Sequence, residues 1–375
     1  MKKLLCLMMI ALLCLSAFAE SAEPAPVPGN RLGLLALRLL ADGTGNQFVS
    51  PISLAYALSM AARGAEGETL DELLAALDAD GAEDVAALND RLLAAGLRWA
   101  NAAFVQDGVP LNRDYADALK AAFAAELFPL DAAERVNAWA AEHTDGLIDH
   151  LLDEVDPSTR LMLANAVVMD AKWSSPFEAE DTWQNAFHAP GGDVNVDFMH
   201  QTLYARYAEI DGTQMIRLNY AGSGLCMLIA LPPEGGMDAA LDALAERGLD
   251  WFELPEASTE VTLALPKLDI SVSNGLAGTL QALGVERAFS DFAQFGGISD
   301  RPLKVDDVIQ KVRVQVDEEG TRAAAVTEII MVDGCAMDEG PQPIPMVVDR
   351  PFVMVIADGD TGAICFAGAV ANPAA

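Results

Sequence analysis

Residues 311–316, KVRVQV, alternate Val312, Val314 and Val316 with charged or amide side chains, the period-two pattern of a strand with one buried face. The stretch after that strand constrains the chain most. Beyond Asp317, Glu318, Glu319 and Gly320 interrupt the alternation, and from Thr321 the residues turn small or β-branched: TRAAAVTEIIMV. Such a run anchors no core. Its parity is nevertheless ordered: Thr321, Ala323, Ala325, Thr327, Ile329 and Met331 carry no charge, while Arg322 and Glu328 share the alternate set with Ala324, Val326, Ile330 and Val332. In a sheet packed on one side, the first set can face inward without burying an ion. The competing reading is an exposed Ala-rich helix or a surface loop, given alanine's helix propensity. The sequel favours a chain that leaves a sheet and returns to one. Pro341, Pro343 and Pro345 enforce an extended return, and two apolar strand runs then join through a Gly/Asp turn at 358–362.

The segment EEGTRAAAVTEII, with DRPFVMVI and ICFAGAVANP behind it, resembles the hinge, reactive loop and closing strands of the serpin family of protease inhibitors. The likeness is specific, because the hinge glycine, the following threonine and the small-residue run occur together at fixed offsets. It extends over about residues 30–373 and implies an α+β serpin fold, with three β-sheets, about eight or nine helices and an exposed reactive loop near 318–345. The hinge would comprise Glu318, Glu319, Gly320, Thr321, Arg322, Ala323, Ala324, Ala325 and Val326. Support for sheet opening would come from Ser50 and Ser53 in an SP-S opening, from Asn165 and Trp173 in LANAVVMDAKWSSPF, and from Lys267, which matches a family partner of Glu318. One residue departs from the pattern: where serpins often carry a His before the hinge, this chain has Gln310, whose amide both donates and accepts. The family offset from Gly320 places the scissile bond at Gly334–Cys335, with Asp333–Gly334 as an alternative register.

The first residues set the compartment. Lys2 and Lys3, an apolar run from Leu4 to Leu15 and the small-x-small sequence Ala17, Phe18, Ala19 read as a secretory signal peptide, residues 1–19. Residues 20–29 read as a linker and 30–375 as a single domain. Cleavage would leave three cysteines without framework spacing, of which Cys226 and Cys365 lie in apolar runs and Cys335 in the loop. The formal charge of −33 becomes −35 once Lys2 and Lys3 are gone (56 acidic against 21 basic residues). Such a surface repels nucleic acid, heparin-like polyanions and anionic membranes.

Helices are expected at 30–40, from Ser50 as N-cap to Gly64, and at 68–77, 82–93, 113–124, 132–143 and 274–290, with strands at 98–106, 159–169 and through 187–231 and 261–272. No enzymatic constellation emerges. His143, His150, His188 and His200 lack metal-ligand spacing, AGSGL at Ser223 lacks the first glycine of a nucleophile elbow, and DADGAED from Asp78 lacks the twelfth-position Glu of a calcium loop. The resemblance therefore implies a secreted, non-enzymatic, monomeric inhibitor without cofactor or metal, forming a covalent complex with a serine or cysteine endopeptidase. The rival within the family is a non-inhibitory binder, chaperone or storage protein. A secreted hydrolase is a weaker third reading.

Overall fold

The computed structural model describes residues 26–306, 308–321 and 342–375. Its centre is α2 (Pro51–Ala62), in which every residue is buried. A helix apolar on all sides has to lie inside the protein, and Ser50 starts it by accepting the Ser53 N–H, with Pro51 in the first turn. Around it lie α1 (Asn30–Leu40), α3 (Gly67–Leu77), α4 (Asn89–Ala94), α5 (Arg113–Phe123), α6 (Ala133–His143), α7 (Met237–Arg247) and α8 (Ala277–Ala282). Two expected helices are shorter than the periodicity suggests. The 82–93 stretch divides into a 3-10 turn at Asp84–Leu88 and then α4. The 274–290 stretch keeps only α8, since Gly284 at φ +96° turns the chain out of helical geometry.

Nine strands form the larger sheet: β1 (Gln47–Val49), β6 (Thr182–Ala189), β7 (Gly192–Ile210), β8 (Thr213–Asn219), β9 (Leu225–Leu231), β10 (Thr259–Pro266), β14 (Ile344–Val347), β15 (Phe352–Asp358) and β16 (Ile364–Val370). Their order is β1-β16-β15-β9-β8-β7-β10-β14, with β6 on the long β7. Strands β9, β15 and β16 are buried at every position, because both faces are covered. Phe352, Met354 and Ile356 meet the main core, whereas Val353, Val355 and Ala357 meet a second core with Trp251 and Phe252.

The remaining strands fall into two blocks: β3-β2-β4 (Glu126–Pro129, Leu97–Val105, Leu161–Met169) and β11-β12-β13-β5 (Leu268–Gly275, Ile309–Val316, Gly320–Thr321, Ala171–Lys172). The alternation read from the sequence holds in β12, where Val312, Val314 and Val316 are buried and pair with Val272, Ile270 and Leu268. Only Asp170 separates β5 from β4, so one stretch of chain serves both blocks. No ladder joins β4 to β12 among the described residues. Helix α6 covers the outer face of the first block through Val136, Trp139 and Ala140 on Phe104.

Candidate functional site: the hinge between β5 and β12

The hinge enters the seam between the two blocks. Asp317 reverses the chain, its carboxylate accepting the N–H groups of Glu319 and Gly320 at 2.9 and 3.1 Å. Thr321 then lies between Val316 on one side and Ala171 on the other, with Gly320 opposite Lys172. There is no room for a side chain at Gly320, where a Cβ would come within 2.1 Å of the Ala171 carbonyl oxygen.

Trp173 closes the mouth of the seam. Its indole N–H donates to the Asp317 carbonyl at 2.9 Å and its backbone N–H to the Glu319 carbonyl at 2.8 Å. Its ring stacks on Tyr220 with centroids 4.5 Å apart. The Tyr220 hydroxyl in turn lies 2.5 Å from the Thr321 hydroxyl, and burial pushes that phenol's pKa up. Thr321 is 4% exposed, so the first residue of the uncharged set does face inward.

Glu318 fixes the other flank. Lys267 Nζ donates to its carboxylate at 2.8 Å and the Thr182 hydroxyl at 2.9 Å, while its backbone carbonyl accepts the Phe177 N–H. Burial works against the charge of Glu318, but the bonds from Lys267 and Thr182 outweigh it and hold the carboxyl below its ordinary range. Glu319 lies 3.6 Å from Lys172.

Farther along the seam, Gln310 occupies the inward set of β12 together with the valines. Its amide makes a two-point bond with one residue: Oε1 accepts the Ser50 N–H and Nε2 donates to the Ser50 carbonyl, both at 2.9 Å. Beside it, Asn274 donates to the Phe48 carbonyl. Together these bonds tie β11 and β12 to the segment that starts α2, and they need a side chain able to donate and accept at once.

Ser50, Ser53 and Gln310 therefore form one cluster, and Trp173, Lys267 and Glu318 another. Asn165 joins neither: it donates to Asn101, which donates to the Phe123 carbonyl, and its own Oδ1 is buried without a partner. Arg322, Ala323, Ala324, Ala325, Val326, Asp333, Gly334 and Cys335 lie outside the described residues, as does the leader. Sequence reasoning missed Tyr220 and Thr182, whose roles depend on which distant strands meet at the hinge. It also read 358–362 only as a turn, whereas Asp358 is wholly buried and clasped by Nη2 and Nε of Arg91 at 2.8 and 3.1 Å and by the Thr361 hydroxyl. Cys226 and Cys365 are buried thiols whose pKa burial raises.

The family profile described as Serpin (serine protease inhibitor) matches residues 30–373. The chain belongs to the serpin family. Serpins are generally protease inhibitors rather than catalysts, and their targets are proteases. A serpin-like protein of Thermococcus kodakarensis is 36% identical over 352 residues, covering 89% of this chain and 82% of its own length. The thermophilic serpin tengpin in its native state aligns at 26% identity with a TM-score of 0.82, over 92% of this serpin and 93% of that chain. Native protease nexin-1 with heparin aligns at 26% identity and a TM-score of 0.80, over 92% and 98%.

Proposed function

We propose that this serpin is a secreted suicide-substrate inhibitor of a serine or cysteine endopeptidase, exported by removal of residues 1–19. One observation carries the reading: Thr321 is seated between Val316 and Ala171, at the mouth of a seam whose flanking strands β4 and β12 share no ladder among the described residues. The chain from Arg322 onward has small residues and keeps charge off the inward set, as a strand extending that seam requires.

In this mechanism the protease nucleophile attacks the carbonyl of Gly334, or of Asp333 in the alternative register, and the amine of the next residue leaves with a proton. The acyl-enzyme remains on the hinge side. Extending the hinge into the seam gains roughly 0.5–1.5 kcal/mol per net hydrogen bond and buries Ile329 and Met331 at roughly 1.5–3 kcal/mol each. A dozen residues thus release energy on the order of 10 kcal/mol, enough to drag a tethered protease. Displacing its catalytic groups by about 1 Å slows deacylation about a hundredfold. The acidic surface favours a cationic partner over polyanions and anionic membranes, and the inhibitor acts as a monomer with no cofactor.

The test uses subtilisin, pancreatic elastase and an Asp-specific protease, with denaturing gels and mass spectrometry of the released peptide. A band at the summed mass supports inhibition, and the peptide's N-terminus selects the bond. Intact and clipped forms are then melted side by side. A clipped form that melts no higher than the intact one overturns the mechanism.

A further inference from the structure

Five stretches far apart in sequence converge on a cavity of about 690 Å³: the turn at 41–45 after α1, the β6–β7 hairpin at 188–193, residues 233–241 leading into α7, Arg350 with Pro351, and the end of β16 at 369–371. An apolar floor of that size with a few convergent polar groups is the make-up of a small-molecule site. The space stays open because the residues around it are short. Ala41, Ala189, Ala369 and Ala371 line it beside Leu241, and a Cβ built on Gly43, Gly45 or Gly235 would meet nothing within 4 Å.

The walls are fixed in advance. The His188 N–H donates to the Asp349 carbonyl at 2.7 Å and Arg350 Nε to the Pro232 carbonyl at 2.9 Å, which ties the hairpin and the turn before α7 to the entry of β15. Asn46 ties the remaining turn to the chain end, accepting the N–H groups of Ala371 and Asn372 and donating to the Asn372 carbonyl. A ligand entering such a cavity has little protein to order, and that cost is one of the main charges against affinity.

The charges select the ligand. Both basic side chains of the cavity are held by acids, His188 Nδ1 lying 2.8 Å from Asp193 and Arg350 Nη1 donating to Asp349 at 3.2 Å. Among the acids, Asp193 has His188 and Asp238 faces Arg38 at 3.9 Å. The Glu234 carboxylate has no hydrogen bond or ion pair among the described residues. His188 senses the resulting field: the bond to Asp193 raises its pKa, and the charges of Asp349 and Glu234 raise it further. We infer that this cavity is a binding site for a small organic cation, an amine on an apolar body, with the ammonium against Glu234 and the body over the alanines and Leu241. An anion would have to displace Asp193 or Asp349 from its partner, against the field of a chain with formal charge −33. The cavity shares no lining residue with the hinge clusters, so the inference does not depend on the inhibitory reading.

The test is calorimetric titration of the full-length protein with three probes that share an indole ring and differ in charge: tryptamine, tryptophol and indolepropionate. Tryptamine is expected to bind about tenfold more tightly than indolepropionate, a difference of about 1.4 kcal/mol, with tryptophol between them. Glu234→Gln should weaken tryptamine about fivefold and leave tryptophol unchanged. Gly45→Phe, whose ring would occupy the cavity, should abolish binding of all three, and Asp107→Asn, which removes a charge in the turn after β2, should match wild type. Thermal melting of each variant checks that folding is intact, and Glu234→Gln carries the test alone if Gly45→Phe does not fold. No binding of tryptamine at millimolar concentration, equal affinity for the three probes, tryptamine binding unchanged in Glu234→Gln, or an equal loss in Asp107→Asn overturns the inference.

Discussion

The nine-stranded sheet and the split pair of blocks are built from one chain on opposite logics. In the first, β9, β15 and β16 are buried on both faces and laddered along their length, with one register shift between β15 and β16 at Ile356/Ala357. In the second, β4 and β12 share no ladder among the described residues, and apart from the two-residue β13 laid between β12 and β5 the parts are held by side chains: Trp173 and Lys267 at the mouth, Gln310 farther in. Backbone ladders commit a strand to its neighbour, whereas side-chain clasps hold a sheet edge without using up its hydrogen-bonding groups. The comparison teaches where the molecule is finished and where, among the described residues, facing strands stay unpaired.

Thr321→Arg should break the comparison most severely. It places an unpaired charge against Tyr220 in a buried position, costing several kcal/mol, and the covalent fraction should fall at least about tenfold while loop cleavage continues. Gels of serpin and protease read both outcomes, and a variant that still forms complexes at the wild-type ratio would refute this role for the seam. Gly368→Ala probes the other sheet. Its new Cβ would meet the Phe48 ring at 2.2 Å, so overpacking should cost about 1–3 kcal/mol, lowering the denaturation midpoints of intact and clipped protein alike.

Gln310→Ala strands the buried N–H of Ser50, whose carbonyl keeps only its helix bond from the Leu54 N–H. About 1–3 kcal/mol should be lost, and Gln310→His should recover only part of it, because one imidazole nitrogen cannot donate and accept together. Denaturant unfolding of the intact form measures both.

The smallest effect sharpens the comparison through pH. The carboxyl of Glu318 is held below its ordinary range in the folded protein, so its stabilising contribution is fully present above the unfolded carboxylate pKa and disappears as pH falls through the lower, folded one. The difference in melting temperature between wild type and Glu318→Gln should therefore be constant near neutrality and vanish in acid. Solvent reaches this pair, so the contribution is at most about 1 kcal/mol. A difference that persists in acid would assign it to packing.

Legibility followed the same division. The β12 valines, the Ser50 cap and the apolar runs of β15 and β16 could be read because each reports a local periodicity or turn. At the hinge, Glu318 and Lys267 were found through a motif at fixed offsets, and they meet at 2.8 Å. Tyr220 and Thr182 could not be found that way. Tyr220 lies just past the end of one strand and Thr182 begins another, and only tertiary register brings them to Thr321 and Glu318. Asn165 shows the converse limit: the motif grouped it with Trp173 as support for sheet opening, but β2 pairing aligns it with Asn101, away from Trp173. Asp358 looked like turn chemistry because nothing nearby in sequence announces Arg91, 267 positions earlier.

The 322–341 segment is rooted at its two ends in different bodies. Thr321 belongs to the split blocks, and Ile344 begins a parallel pairing with β10 in the nine-stranded sheet. A cut anywhere between them leaves two stubs with no common lattice to keep them aligned, and bringing them back together costs the entropy of closing a loop. Scission at this place acts as a ratchet: the anchorage of the two stubs makes resealing uphill, whatever enzyme made the break.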